Sequence, residues 1–160
     1  MSILSYTKEI IIRDLNALKE ELKITDEDLL WHAEPGIINS VGTLCYHICG
    51  NLNHFIGNKI GHNEYIRDRE AEFNKHDLSK NELVFVIDQT IASIEKVLST
   101  EIDLEMVMPD PPPHHVGKSI GFFLIQLTCH LSRHRGQLDY LRRISKERKN
   151  SSALQITQTT

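Results

Sequence analysis

From Ile120 to Leu141 apolar side chains recur in steps of four and three, at Ile120, Leu124, Leu127, Leu131, Leu138 and Leu141. That spacing gives a helix one continuous apolar seam, and the seam can only be buried against other helices. One member is polar: His134 sits on the stripe between Leu131 and Leu138. Four residues before it comes His130, and because a helix advances 3.6 residues per turn, the two imidazoles project from one face, one above the other.

Three further segments carry the same kind of pattern, and none reads convincingly as a strand. From about Tyr6 to Leu22 the residues Ile11, Leu15, Leu18 and Leu22 repeat every three or four, in line with Leu4 ahead of them. Thr25-Asp-Glu-Asp28 can start a short helical turn carrying Leu29, Leu30 and Trp31, which Glu34-Pro-Gly36 stops. Ser40 is a good N-cap for a second helix reaching about Gly61, with Val41, Leu44, Ile48, Leu52 and Phe55 on its core face. Ser79-Lys-Asn-Glu82 is a capping box for a third, built on Leu83, Ile87, Ile91, Ile94 and Leu98.

Between the second and third helices, Gly61 to Leu78 is polar, contains Arg67-Asp-Arg-Glu-Ala-Glu-Phe73, and reads as an exposed crossover. Before the fourth helix, which restarts near Ser119, Pro109-Asp-Pro-Pro-Pro113 cannot be helical, since prolines remove donors and fix the backbone. Four amphipathic helices with two long connections predict an all-α four-helix bundle with a long crossover, one domain over 1–145, and a flexible C-terminal tail over 146–160.

A chain of 160 residues can bury a core without disulfides or a structural metal, so any metal here is functional rather than a staple. The formal charge of −4 gives no basic field for nucleic acid. No apolar run approaches the roughly 18 to 20 residues that span a bilayer, and the first residues lack the pattern of a secretory signal, so the expectation is a cytoplasmic protein. Cys45, Cys49 and Cys129 form an odd set with no C-x-x-C pair and read as packing residues, although Cys45 and Cys49 share a helix face and could hold a soft metal.

A lone histidine on an apolar face is ordinarily a buried neutral imidazole bonded to carbonyls or hydroxyls, and that reading is open for His134 by itself. His130 shifts the balance, because two imidazoles on one face supply half of a tetrahedron and need donors from a neighbouring helix. His47, at the edge of the second helix's apolar face, is the best candidate. His54 continues a His47-Asn51-His54 stripe as a fourth ligand, an outer partner or an exposed residue. His32, His62, His76, His114 and His115 lie in connectors, the last two able to line a pocket mouth. Gln137 shares the face of His134 and either orients a ligand or faces solvent, and Gly136 suggests close helix packing beside the site. For a general base the sequence offers Glu70, Glu72 and Asp139, of a kind usually just solvated.

His47 within Leu44-Cys-Tyr-His-Ile-Cys-Gly-Asn-Leu-Asn53, with His130-Leu-Ser-Arg-His134-Arg-Gly-Gln-Leu-Asp139, resembles the DinB/YfiT-like superfamily of metal-dependent enzymes, over about Tyr6 to Arg143. Asn51 to Gly57 and Tyr65 to Phe73 look like one uncharacterised branch of it. The resemblance implies a four-helix bundle, a divalent metal held by His47, His130 and His134, and often a homodimer. Its relatives include transferases that use bacillithiol and an isomerase that uses mycothiol.

Three imidazoles suit zinc or nickel, with iron, cobalt, copper and manganese also compatible. The leading expectation is an enzyme that activates a low-molecular-weight thiol or water against a small electrophile, as a thiol S-transferase or a metal-dependent hydrolase would. Two others stay open: a non-catalytic metal-dependent ligand binder or stress-response protein with a closed coordination sphere, and histidines that only pack and bond. The expected partners are a small-molecule substrate and a second copy of the chain, with neither nucleic acid nor membrane.

Overall fold

The computed structural model describes residues 2–75 and 77–157; His76 and the last three residues of the expected tail lie outside it. Five α-helices follow in order: α1 (Ile3–Lys23), α2 (Val41–Leu52), the short α3 (Arg69–Asn74), α4 (Lys80–Leu98) and α5 (Ile120–Thr157). Their starts follow the caps. Ser40 accepts from the Thr43 amide at 3.1 Å, and Ser79 and Glu82 exchange side-chain to backbone bonds at 2.8 and 3.3 Å. Beyond Leu52 the chain stays helical but widens into a π-helical run, Asn53–Ile60, that turns Phe55, Ile56 and Gly57 all inward.

The apolar seams meet as their periodicity requires: Ile11, Leu15, Leu18 and Leu22 of α1 are fully buried, as are Leu83, Ile87 and Ile94 of α4 and Leu131 and Leu138 of α5. Helix α1 packs on α4 and α5, and α2 packs on the same two, so α1 and α2 occupy opposite corners. Paired side chains give the directions. Lys8 meets Ser99 and Lys19 meets Asp88, so α1 and α4 run antiparallel; Asp14 meets Ser132 and Glu21 meets Arg142, so α1 and α5 run parallel. Asn53 bonds Thr90 at 2.8 Å and the Asn63 side chain beside Gly57 bonds Ser93 at 3.2 Å, which sets α2 parallel to α4.

Parallel neighbours cannot be joined by a tight turn, so residues 61–79 must travel back along the bundle. The crossover is therefore a structural layer rather than a solvated loop. Asp68 caps α3 by accepting from the Ala71 amide at 2.9 Å, and α3 packs against α2 and buries Glu72 to 1% exposure.

Helix α5 continues unbroken through Thr157, across most of the 146–160 segment expected as a flexible tail. Charge explains the difference. Arg148 pairs with the buried Glu34, and Lys149 reaches Asp26 and Asp28 at 3.1 and 2.7 Å, tying the polar end of α5 to the connector between α1 and α2. Among the described residues no helix is long and apolar enough to cross a membrane.

Candidate metal centre

His47 projects from the middle of α2, and His130 and His134 from α5 opposite, in antiparallel helices. One ring nitrogen from each lies within 4.8 Å of the others, so the cluster could hold a metal ion. The His47 and His130 Nε2 atoms are 3.2 Å apart, and the His130 and His134 rings have centroids 4.3 Å apart. Two nitrogens bound tetrahedrally to one ion at about 2.0–2.1 Å are separated by roughly 3.4 Å, close to the 3.2 Å between His47 and His130.

The second requirement is an unprotonated imidazole. Burial, reinforced by the neighbouring His134, His47, Arg133 and Arg67, pushes His130 down to about 3. Burial also lowers His134, aided by His47 and Arg133 and opposed by its bond to Gln137. Both rings are neutral at pH 7.

Two of the rings are oriented from behind. The Nδ1 of His47, a residue only 6% exposed, is 2.9 Å from Glu72 Oε2, and Arg67 donates to both Glu72 oxygens at 2.6 and 2.8 Å. Burial raises the Glu72 pKa, but the bonds from Arg67 and His47 outweigh it and hold the carboxyl below its usual value. An ionised carboxylate can only accept, so His47 carries its proton on Nδ1 and turns the Nε2 lone pair toward His130. Gln137 Oε1 lies 2.7 Å from His134 Nδ1, which fixes that ring in the same sense. Phe73 covers the His47 ring at 4.9 Å.

Glu72 needs room that only glycine leaves. It rests on Gly50, one turn beyond His47, where a Cβ would overlap the carboxylate.

The structure thus brings together the three histidines singled out in the sequence, and makes Gln137 an orienting residue. It leaves His54 apart, on the ring of Phe55 at 4.7 Å, and sets His115 beside Phe122 and Phe123 with His114 against it at 4.2 Å. Of the candidate bases, Glu70 is exposed and Asp139 is paired with Arg142 and Arg143. Glu72 is not solvated as expected: it is buried and bonded to Arg67 and His47. Gly136 does not serve close packing, since a Cβ there would meet nothing within 4 Å. Cys45 and Cys49 are buried free thiols of the core, and Cys129 is exposed. Neither Arg67, read only as part of the exposed crossover, nor Gly50 was assigned a role from the sequence; the spacing of Arg67, Glu72 and the Asp68 cap was the available signal.

The sequence matches, over residues 4–160, the family described as a protein of unknown function, DUF1572. The chain belongs to the DUF1572 family. No curated protein matches this DUF1572 chain. Its fold is similar to that of a DinB-like protein from Bacillus cereus ATCC 10987, with a TM-score of 0.64 at 20% identity, covering 83% of this chain and 86% of that one. The DUF1572 protein is accordingly an all-α bundle with the DinB-like fold.

Proposed function

We propose that this protein is a divalent-metal-dependent enzyme whose ion, zinc or nickel, is held by His47, His130 and His134, and that it directs a low-molecular-weight thiol against a small electrophile. The observation that carries the reading is the convergence of three imidazole nitrogens within 4.8 Å, with carboxylate and amide partners behind two of the rings. An ion held by three imidazoles with a coordination position to spare acts as a Lewis acid and brings the pKa of a bound thiol or water toward neutrality.

The chain's own groups favour thiol over water. Glu72, the buried carboxylate beside the cluster, is occupied by Arg67 and His47, so it holds a proton at Nδ1 and takes none from a nucleophile. A thiol, far more acidic than water, needs no such base. The rival reading, a non-catalytic binder with a closed sphere, requires a fourth side chain. His54 stands outside the cluster, and Glu72 touches His47 on the nitrogen that faces away. In the same reading the working form is a homodimer acting on a small molecule.

The test is metal analysis of protein purified without an affinity tag, beside a His130→Ala, His134→Ala variant. About one equivalent of metal in the parent and none in the variant supports the site; equal content in both ends it. Thiol-dependent consumption of 1-chloro-2,4-dinitrobenzene that stops on chelation separates enzyme from binder.

A further inference from the structure

The loop that leads into α2 leaves large apolar side chains in water. Glu34-Pro-Gly-Ile37 closes on a bond from the Ile37 amide to the Glu34 carbonyl at 2.8 Å. Pro35 takes the second position and Gly36 the third, at φ 80°, which is the pattern of a type II turn. Both ends of the loop are anchored: the buried Glu34 carboxylate pairs with Arg148 of α5, and Ser40 caps α2. Held in this way, the loop keeps Ile37 42% exposed and Ile38 94% exposed, and Tyr140 of α5 is 63% exposed.

These three residues line one cavity of about 410 Å³ between α2 and α5, together with the buried Leu44 and Leu141. None of its lining residues is charged. The cavity adjoins the histidine cluster along both helices. Leu44 precedes His47 by three residues, and Gln137, which also lines the cavity, follows His134 by three and bonds its ring at 2.7 Å. Three residues of helix are about 4.5 Å along the axis.

Size and charge decide the occupant. Small-molecule sites occupy about 300–1,000 Å³ and are mostly apolar with a few polar groups, whereas a stable protein interface takes about 20–30 residues a side, far more than this rim offers. A lining without charge gives an ionised ligand nothing to offset its lost hydration. We infer that this cavity binds an uncharged, largely apolar small molecule. Resting on the proposed function above, that molecule is the electrophile, held one helical turn from the imidazoles.

N-phenyl-1-naphthylamine, an uncharged dye that brightens on leaving water, is titrated into the full chain with and without zinc. Saturable binding of about one equivalent is expected in both. The double variant Ile37→Ser, Ile38→Ser strips the loop wall, and Tyr140→Asp sets a charge in the helix wall. Each is expected to weaken binding at least about tenfold. Val116→Asp changes an apolar residue that is 70% exposed outside the cavity, and is expected to alter binding less than about twofold. Melting temperatures identify any variant that has lost its fold, and the other wall's variant then decides. A parent that leaves the dye dark, or folded variants that bind it as the parent does, overturns the site. A fall from dimer to monomer in Ile37→Ser, Ile38→Ser protein, with the parent dark, assigns the loop to a contact between copies instead. In thiol-dependent consumption of 1-chloro-2,4-dinitrobenzene the dye is expected to raise KM and leave kcat unchanged. Turnover that the dye does not oppose in this way overturns the electrophile's place in the cavity. Absence of turnover ends the enzyme reading, while dye binding that depends on both walls upholds the apolar site.

Discussion

The two helices that supply the histidine cluster hold their imidazoles very differently. On α2, His47 is 6% exposed and backed by a carboxylate that is itself 1% exposed and gripped twice by Arg67. On α5, His130 and His134 are half-buried, and their partners Arg133 and Gln137 are exposed side chains of the same helix. One half is built by tertiary structure and cannot relax without unpacking α3; the other is built by local i, i+3 contacts that cost little to rearrange. A rigid imidazole facing two adjustable ones lets a cluster keep its position while its geometry can adapt.

The largest expected effect follows from breaking the rigid half. Glu72→Ala strands Arg67 and His47 without their carboxylate, and removing one partner of a buried ion pair costs about 3–5 kcal/mol. Urea unfolding should show a loss of at least about 3 kcal/mol, together with a ten- to hundredfold loss of zinc affinity. A loss below about 1 kcal/mol would erase the distinction between the two halves, since surface changes fall within that range.

Next comes a pair of glycines in similar helical settings. Gly50→Ala pushes the Glu72 carboxylate off its seat and should cost about 1–3 kcal/mol, as overpacking does, with zinc affinity falling alongside. Gly136→Ala meets open space and should gain up to about 1 kcal/mol through helix propensity, leaving zinc affinity alone. Thermal denaturation of both variants reads the sign directly.

On the adjustable half, Gln137→Ala should leave stability within about 0.5 kcal/mol and lower zinc affinity by roughly tenfold. Stability lost on the scale of Glu72→Ala would show that α5 is no softer than α2.

The remaining effect is in pH. The folded chain holds His130 at about 3, whereas the unfolded chain protonates it near 6.5, so unfolding takes up a proton between these values. The contribution of His130 is complete above about 6.5 and is lost as pH falls toward 3. The melting temperature of zinc-free protein should therefore decline from pH 7 to pH 5, and decline less in His130→Ala.

Sequence made the bundle legible because its seams and caps are local patterns: the a/d run of α5, the Ser79–Glu82 box and the Ser40 cap are each complete within a few residues. The His130–His134 pair was legible for the same reason, as a consequence of helical pitch. Glu72 was not. A carboxylate in a charged, polar stretch has the same local signature whether it faces water or a buried guanidinium, and the difference arises only when parallel α2 and α4 force the crossover back across α2. Gly50 and Gly136 make the same point, since both are glycines within helical runs and only the neighbouring chain tells them apart. The continuation of α5 past residue 145 was not legible because its charges have partners in the connector between α1 and α2, more than a hundred positions earlier.

The histidine cluster draws on chain segments far apart: His47 meets Glu72 across 25 residues and His130 across 83. During refolding, the i, i+4 pair on α5 forms with its helix, but the complete ligand set exists only after the crossover has doubled back and α2 has docked, steps that loop closure makes late. An ion bound there grips contacts absent from the folding transition state. Its stabilisation is then expressed in a slower escape from the native state, with little change in the speed of reaching it.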